Sequence, residues 1–139
     1  QRELKERLRK LIRQDGVQWC GRIGQTQLSR ELMKADVMLY PPHPFRETYG
    51  IAFLEAQAAG VICFYRQNGA LGETIGKRGV PLDMKPRAIV KTIINTLKDT
   101  DLCDILRQNG KEYALKRTWE LQTQKIFKLY EVIKNGNKN

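Results

Sequence analysis

In RETYGIAFLEAQAAG, residues 46–60, Glu47 and Glu55 stand with seven residues between them. If both lay on one helix, eight residues at the helical rise would set them roughly 12 Å apart along its axis. A sugar, a diphosphate and a ribose laid end to end cover that distance. A carboxylate accepts hydrogen bonds from two neighbouring hydroxyls at once, as the diols of ribose or hexose present them. A helix beginning near Thr48 or Tyr49 also has first-turn N–H groups without intrahelical partners, at the positive end of its dipole, where an anion binds. Gly50, without a side chain, lets a phosphate approach that backbone. Spacing alone leaves the plainer alternative open, since glutamate is a good helix former and two charges on a solvated face need no ligand.

The elements that must position these residues are legible as alternating periods. RELKERLRKLIRQDGV carries Leu4, Leu8, Leu11 and Ile12 on one helical face and stops at Asp15-Gly16. VQWC is a short apolar run ended by Gly21. TQLSRELMKA follows as a helix, with Thr26 in the N-cap position and Leu28, Leu32 and Ala35 on one face. DVMLY and VICFY are continuous apolar runs, which suits strands buried on both faces. QNGALGET is a Gly-bearing loop entering a short helix, and GVPL forms a last short strand. Beyond Pro86 the pattern is helical, ending in an amphipathic helix with Trp119, Ile126, Phe127, Tyr130 and Ile133. NGNKN, at 135–139, has nothing to bury and is expected to fray. Helices alternating with short apolar strands predict an α/β domain, a Rossmann-like parallel sheet with flanking helices, over residues 1–134. Ligands of such sheets bind at the carboxyl ends of the strands, and PPHPFRETYG holds that place after DVMLY.

The 139 residues suit one domain. With 25 Lys+Arg against 15 Asp+Glu the formal charge is +10, which favours an anionic partner: nucleotide phosphates, nucleic acid or an acidic membrane surface. A basic module for nucleic acid or another polyanion is the rival reading, but the cations are scattered over several helices and no RNP, KH or zinc-finger pattern appears, so no specific nucleic acid is expected. Three separated cysteines and one histidine argue against a disulfide framework or a metal site. Cys20 and Cys63, inside apolar runs, read as small buried hydrophobes of a reducing compartment. No stretch approaches the roughly 20 apolar residues of a membrane span. GETIGK approaches a P-loop but fails it, because only three residues separate Gly72 from Gly76 and Arg78 follows Lys77.

The block ETYGIAFLEAQAAG, followed by a buried strand and by GALGET with Glu73, resembles the nucleotide-sugar-binding domain of glycosyltransferase family 4, enzymes of the GT-B fold. Glutamate, an aromatic-Gly-Ile turn, a second glutamate, Ala-x-Ala-x-Gly and a Gly-x-x-x-Glu loop occur in that order and spacing. VQWCGRIG and LMKADVMLYP resemble the preceding passages of that domain and the Trp119 helix its closing segment, so the likeness runs from about Leu4 to Ile133. The resemblance implies a retaining transferase without an obligatory metal, whose donor is a UDP-, GDP- or ADP-sugar and whose acceptor is a glycan, a lipid or another molecule. It implies Glu47 beside the sugar near the reacting carbon, the backbone of Tyr49, Gly50 and Ile51 on the distal phosphate, and Glu55 on the ribose diol. Gly21, Arg22 and Ile23 would border the base. Ile62 stands where the family has Pro, and Pro42 with the HPFR loop replaces its Ser; His43 in that loop is a further candidate contact. The family's first two strands, its Arg and Lys diphosphate clamp and its N-terminal acceptor domain are expected before Gln1. This chain alone is then expected to be the C-terminal donor-binding half, binding weakly and not turning over. With two strands missing from a 3-2-1-4-5-6 sheet, VQWC and DVMLY are expected either to pair in a rearranged sheet or to engage a second copy in a strand-exchanged homodimer. A cytoplasmic setting, including the membrane's cytoplasmic face, suits such an enzyme.

Overall fold

Strand β2, Ile62–Tyr65, is buried along its whole length and sits in the middle of a three-stranded parallel sheet. β1, Val37–Tyr40, pairs on one side in the register Val37 with Ile62 through Tyr40 with Tyr65, and β3, Val80–Pro81, pairs on the other. The structure, a computed structural model, describes residues 2–41 and 44–136; His43 and Pro42 lie outside it, as do residues 137–139 of the expected tail. α1 (Arg2–Leu11) and α2 (Gln25–Leu32) precede β1, α3 (Ile51–Ala58) joins β1 to β2, and α4 (Leu71–Thr74) with a 3-10 turn at Gly76–Arg78 joins β2 to β3. α5 (Pro86–Lys98), α6 (Thr100–Leu115) and α7 (Trp119–Gly136) complete the chain. Asn135 and Gly136 are thus helical.

The side-chain period of two divides β2 between two apolar layers. Val61, Cys63 and Tyr65 pack with Phe53, Ala56, Leu71 and Ile75. Ile62 and Phe64 pack with Leu82, Cys103 and Leu106 on the other side. Each buried Leu, Ile or Phe contributes roughly 1.5–3 kcal/mol. Pro86 opens α5, and Asp99 sets the α5–α6 junction, its side chain accepting the Leu102 N–H at 3.0 Å.

Five expectations are corrected. VQWC is not a strand: residues 17–20 are irregular and exposed, Trp19 at 65%, because no described strand lies alongside to take up their backbone groups. It neither joins nor neighbours β1, so the sheet is not rearranged to bring the two together. β1 is an edge strand rather than one buried on both faces, and its Leu39 is 48% exposed. Cys20, stranded with its run, is exposed, whereas Cys63 and Cys103 are buried. The N-cap of α2 is Gly24, with Thr26 inside the first turn and making no cap bond.

Burial pushes the Cys63 thiol up to about 12, so almost none of it is thiolate at neutral pH. A thiol reagent should therefore label Cys20 quickly and leave Cys63 and Cys103 untouched until denaturant is added. Equal rates at all three cysteines, read by peptide mass spectrometry, would contradict this packing.

Candidate functional site

The loops that leave the carboxyl ends of β1 and β2 are stitched together. Glu47 forms an isolated parallel bridge with Gly69, and its carbonyl accepts the Ala70 N–H at 2.9 Å. Nearby, Asn68 Nδ2 donates to the Phe45 carbonyl at 2.8 Å. Gly69 has φ +60, and a Cβ there would lie 2.2 Å from the Glu47 carbonyl oxygen. No other residue type allows so close an approach.

The half-buried Glu47 side chain is held from β1. Tyr40 Oη donates to its Oε1 at 2.5 Å. This bond, then burial, then the carboxylate's charge raise the Tyr40 phenol above its usual range. Tyr40 is itself braced edge-on by Phe53, ring centres 5.2 Å apart.

The helix carrying the second glutamate starts later than expected. α3 begins at Ile51 behind Gly50, whose φ of +87 is left-handed and breaks the helical path, so Glu47 and Tyr49 lie on the approach rather than on the helix. The roughly 12 Å axial separation therefore does not apply. Gly50 is required for another reason than access by phosphate: a Cβ would strike Leu71 Cδ2 at 2.7 Å and Phe53 at 3.1 Å. Its bare side faces the core. Among the described residues the Ile51 and Ala52 N–H groups have no acceptor, as first-turn donors of a helix commonly do not.

Along α3, Phe53, Ala56 and Gln57 are buried, which turns Ile51, Leu54, Glu55 and Ala58 to the opposite side. That side lines a groove of about 970 Å³, together with Tyr49 and, from the α6–α7 junction, Arg117 and Trp119. Gln25, the first residue of α2, donates through Nε2 to Glu55 Oε1 at 2.6 Å. The structure thus brings Tyr49, Ile51 and Glu55 to one groove. Glu47 and Gly50 are not on its lining, and neither are Gly21, Arg22 and Ile23. Those three form the approach to α2, with Gly21 at φ +62, Arg22 exposed and Ile23 half-buried.

Sequence reasoning missed Gln25, Tyr40, Gly69, Arg117 and Gln122. Tyr40 had a usable signal, a hydroxyl at the end of an apolar strand run. The others owe their place to contacts far along the chain. Among the described residues no cluster of His, Cys, Asp or Glu could hold a metal ion.

The parallel sheet with its helices, and the two loops joined at its carboxyl edge, define an α/β domain with the fold of a GT-B glycosyltransferase. Residues 1–113 match the family Glycosyl transferases group 1, and the chain belongs to that family. It is 28% identical over 133 residues to a D-inositol 3-phosphate glycosyltransferase of Corynebacterium jeikeium (strain K411), covering 91% of this chain and 31% of that protein. The solved sucrose-phosphate synthase of Thermosynechococcus elongatus superposes with a TM-score of 0.78 at 22% identity, over 97% of this chain and 34% of that one. The chain therefore spans about a third of the length of each.

Gly69→Ala should lower stability by roughly 2–4 kcal/mol, combining backbone strain with a steric clash, seen as an earlier urea midpoint. A second prediction concerns pH. Because the folded Tyr40 phenol titrates above its unfolded value of 10.0, its contribution is complete below that pH and is lost as pH rises through the folded value. In Tyr40→Phe, stability should fall less steeply above about pH 10 than in the wild type; identical alkaline unfolding curves would refute the bond to Glu47.

Proposed function

We propose that this chain is the C-terminal, donor-binding part of a retaining glycosyltransferase of family 4, holding a nucleotide-diphosphate sugar against α3. The observation that carries this reading is the groove in which Glu55, oriented by Gln25 at 2.6 Å, shares a wall with Tyr49 and Ile51 at the entrance of α3. Glu55 accepts the two ribose hydroxyls, and the backbone at Tyr49, Gly50 and Ile51 receives the distal phosphate. Gly21, Arg22 and Ile23, just before Gln25, border the base. A UDP, GDP or ADP carrier meets the same acceptor and donor groups.

Glu47 works at the sugar end. Its carboxylate, fixed by Tyr40 and by the backbone bridge to Gly69, accepts a sugar hydroxyl and places negative charge near the carbon that becomes cationic as the bond to phosphate breaks. Such preorganised charge acts on the transition state more than on the bound donor. No step needs a metal bound by the protein. The relative is named for a phosphorylated inositol; for this chain the acceptor is a glycan, a lipid or a small polyol, supplied with its binding domain by the rest of a longer enzyme. The exposed edge of β1 is completed by further strands of the same sheet there, or by a second copy when the chain stands alone. No helix among the described residues is long and apolar enough to cross a membrane, and work in the cytoplasm or at the membrane's cytoplasmic face suits the basic charge.

Titration of UDP-, GDP- and ADP-glucose into the full-length protein should show one carrier preferred, with Glu55→Ala weakening it by about tenfold or more. Absence of binding below millimolar, or an Ala variant equal to wild type, sinks the donor-site reading, and salt-sensitive binding to any polyanion would favour the basic module. Glu47→Gln should reduce turnover by about 10²–10³-fold while donor affinity changes less than about threefold. Wild-type turnover in that variant would remove Glu47 from the reaction.

A further inference from the structure

The Glu55 carboxylate is held by a neutral group. Gln25 donates to it from the first residue of α2, across 30 residues of sequence, through an exposed hydrogen bond of 2.6 Å. Cations stand nearby but do not take that place. Arg117 lines the large groove, and Lys111 lines a smaller cavity of about 400 Å³ between α2 and α3. Neither forms an ion pair with Glu55 among the described residues. Gln25 and Glu55 line both cavities, so their bond stands where the two meet.

An amide in this position has a chemical consequence that a cation would not have. Lys or Arg would neutralise the carboxylate and compete for its oxygens, whereas an amide directs it and leaves its charge, so the lone pairs that remain accept hydroxyl protons strongly. A carboxylate offers about four acceptor sites, and Gln25 takes one. The rest suffice for the two neighbouring hydroxyls of a ribose.

The bond contributes little to folding, because water offers exposed side chains the same partners. What it fixes is direction. Without Gln25, Glu55 is a long rotatable side chain on a helix face, and a ligand has to order it on binding. A carboxylate already held in one plane meets both hydroxyls of a ribose at once. Against a pentose that lacks one of them, the same charged oxygen is desolvated and left without its donor.

We propose that Gln25 is a specificity-determining residue: by holding Glu55 in one plane it makes the site read the paired hydroxyls of ribose, so that ribonucleotide carriers are taken and 2′-deoxyribonucleotide carriers, such as those built on thymidine, are rejected. Gln25 is thus a positioning residue for the pentose, acting through Glu55. The inference rests on the donor-site reading and narrows it to one class of carrier.

The test is calorimetric titration of UDP, GDP and ADP, each beside its 2′-deoxy form, into the full-length protein. For the base that binds best, the wild type should hold the ribose form about tenfold or more tighter than the deoxy form. In Gln25→Ala the ribose form should weaken by about fivefold or more while the deoxy form stays within about twofold, so the preference collapses. Gln25→Glu, of equal length but without the donor and with a like charge facing Glu55, should collapse it at least as far. Ser29→Ala, which alters the wall of the smaller cavity alone, should leave both forms unchanged. A bond that merely joined α2 to α3 would, when lost, weaken both forms equally, and that result overturns the proposal. So does a wild type without preference for ribose, or a Gln25→Ala variant that keeps it. Glu55→Ala separates the two readings. If it weakens the ribose form while Gln25→Ala keeps the preference, the donor site stands and the role of Gln25 falls; if Glu55→Ala changes nothing, the donor-site reading itself falls.

Discussion

Burial of β2 on both faces is the constraint from which the remaining geometry follows. A strand with apolar layers above and below must have its backbone groups taken up in the sheet plane, and β1 and β3 do this in parallel. Parallel strands put successive loops at the same edge. That edge is where Phe45 and Glu47 meet Asn68, Gly69 and Ala70, residues that follow different strands. The polar site is a consequence of the apolar core rather than an addition to it.

At that edge the two glutamates have different mechanical supports. Glu47 is fixed by backbone pairing and by a phenol from the strand beneath it, so its position is coupled to the core through Tyr40, Phe53 and Tyr65. Glu55 stands on a helix face and is held by one amide from α2. A rigidly held carboxylate suits a role in a transition state, where misplacement costs rate. One held by a single exposed side chain suits binding. The same contrast separates Arg78, whose Nη2 donates to the Glu73 and Thr74 carbonyls, from Arg117, whose side chain makes no hydrogen bond among the described residues.

α1 and α7 show what happens to an amphipathic helix without a partner. Neither has a buried residue, and Leu4, Leu8, Ile126, Phe127 and Tyr130 are exposed. Their stripes were plain in the sequence, since periodicity reports only that one face is apolar. Which surface covers such a stripe is not a local property of the helix, and this chain is about a third as long as the relatives it matches. VQWC follows the same logic: an apolar run becomes a strand only when another strand offers it hydrogen bonds.

By itself the sequence determined the α/β class, the two strands VICFY and DVMLY, the short GVPL strand, nearly every helix, and the carboxyl-edge loop that carries Glu47. These depend on local period, turn residues and caps, which act within a few residues. The tertiary structure alone decided that Glu47 lies outside the helix, because Gly50 meets Leu71 and Phe53 there with a left-handed backbone. It alone paired Tyr40 with Glu47, Gln25 with Glu55, and Arg117 with Tyr113 beside the α3 entrance. Gln25 and Glu55 are 30 residues apart and Tyr40 and Glu47 only seven, yet in neither case does a local propensity encode which polar atom the fold will bring within 3 Å of another.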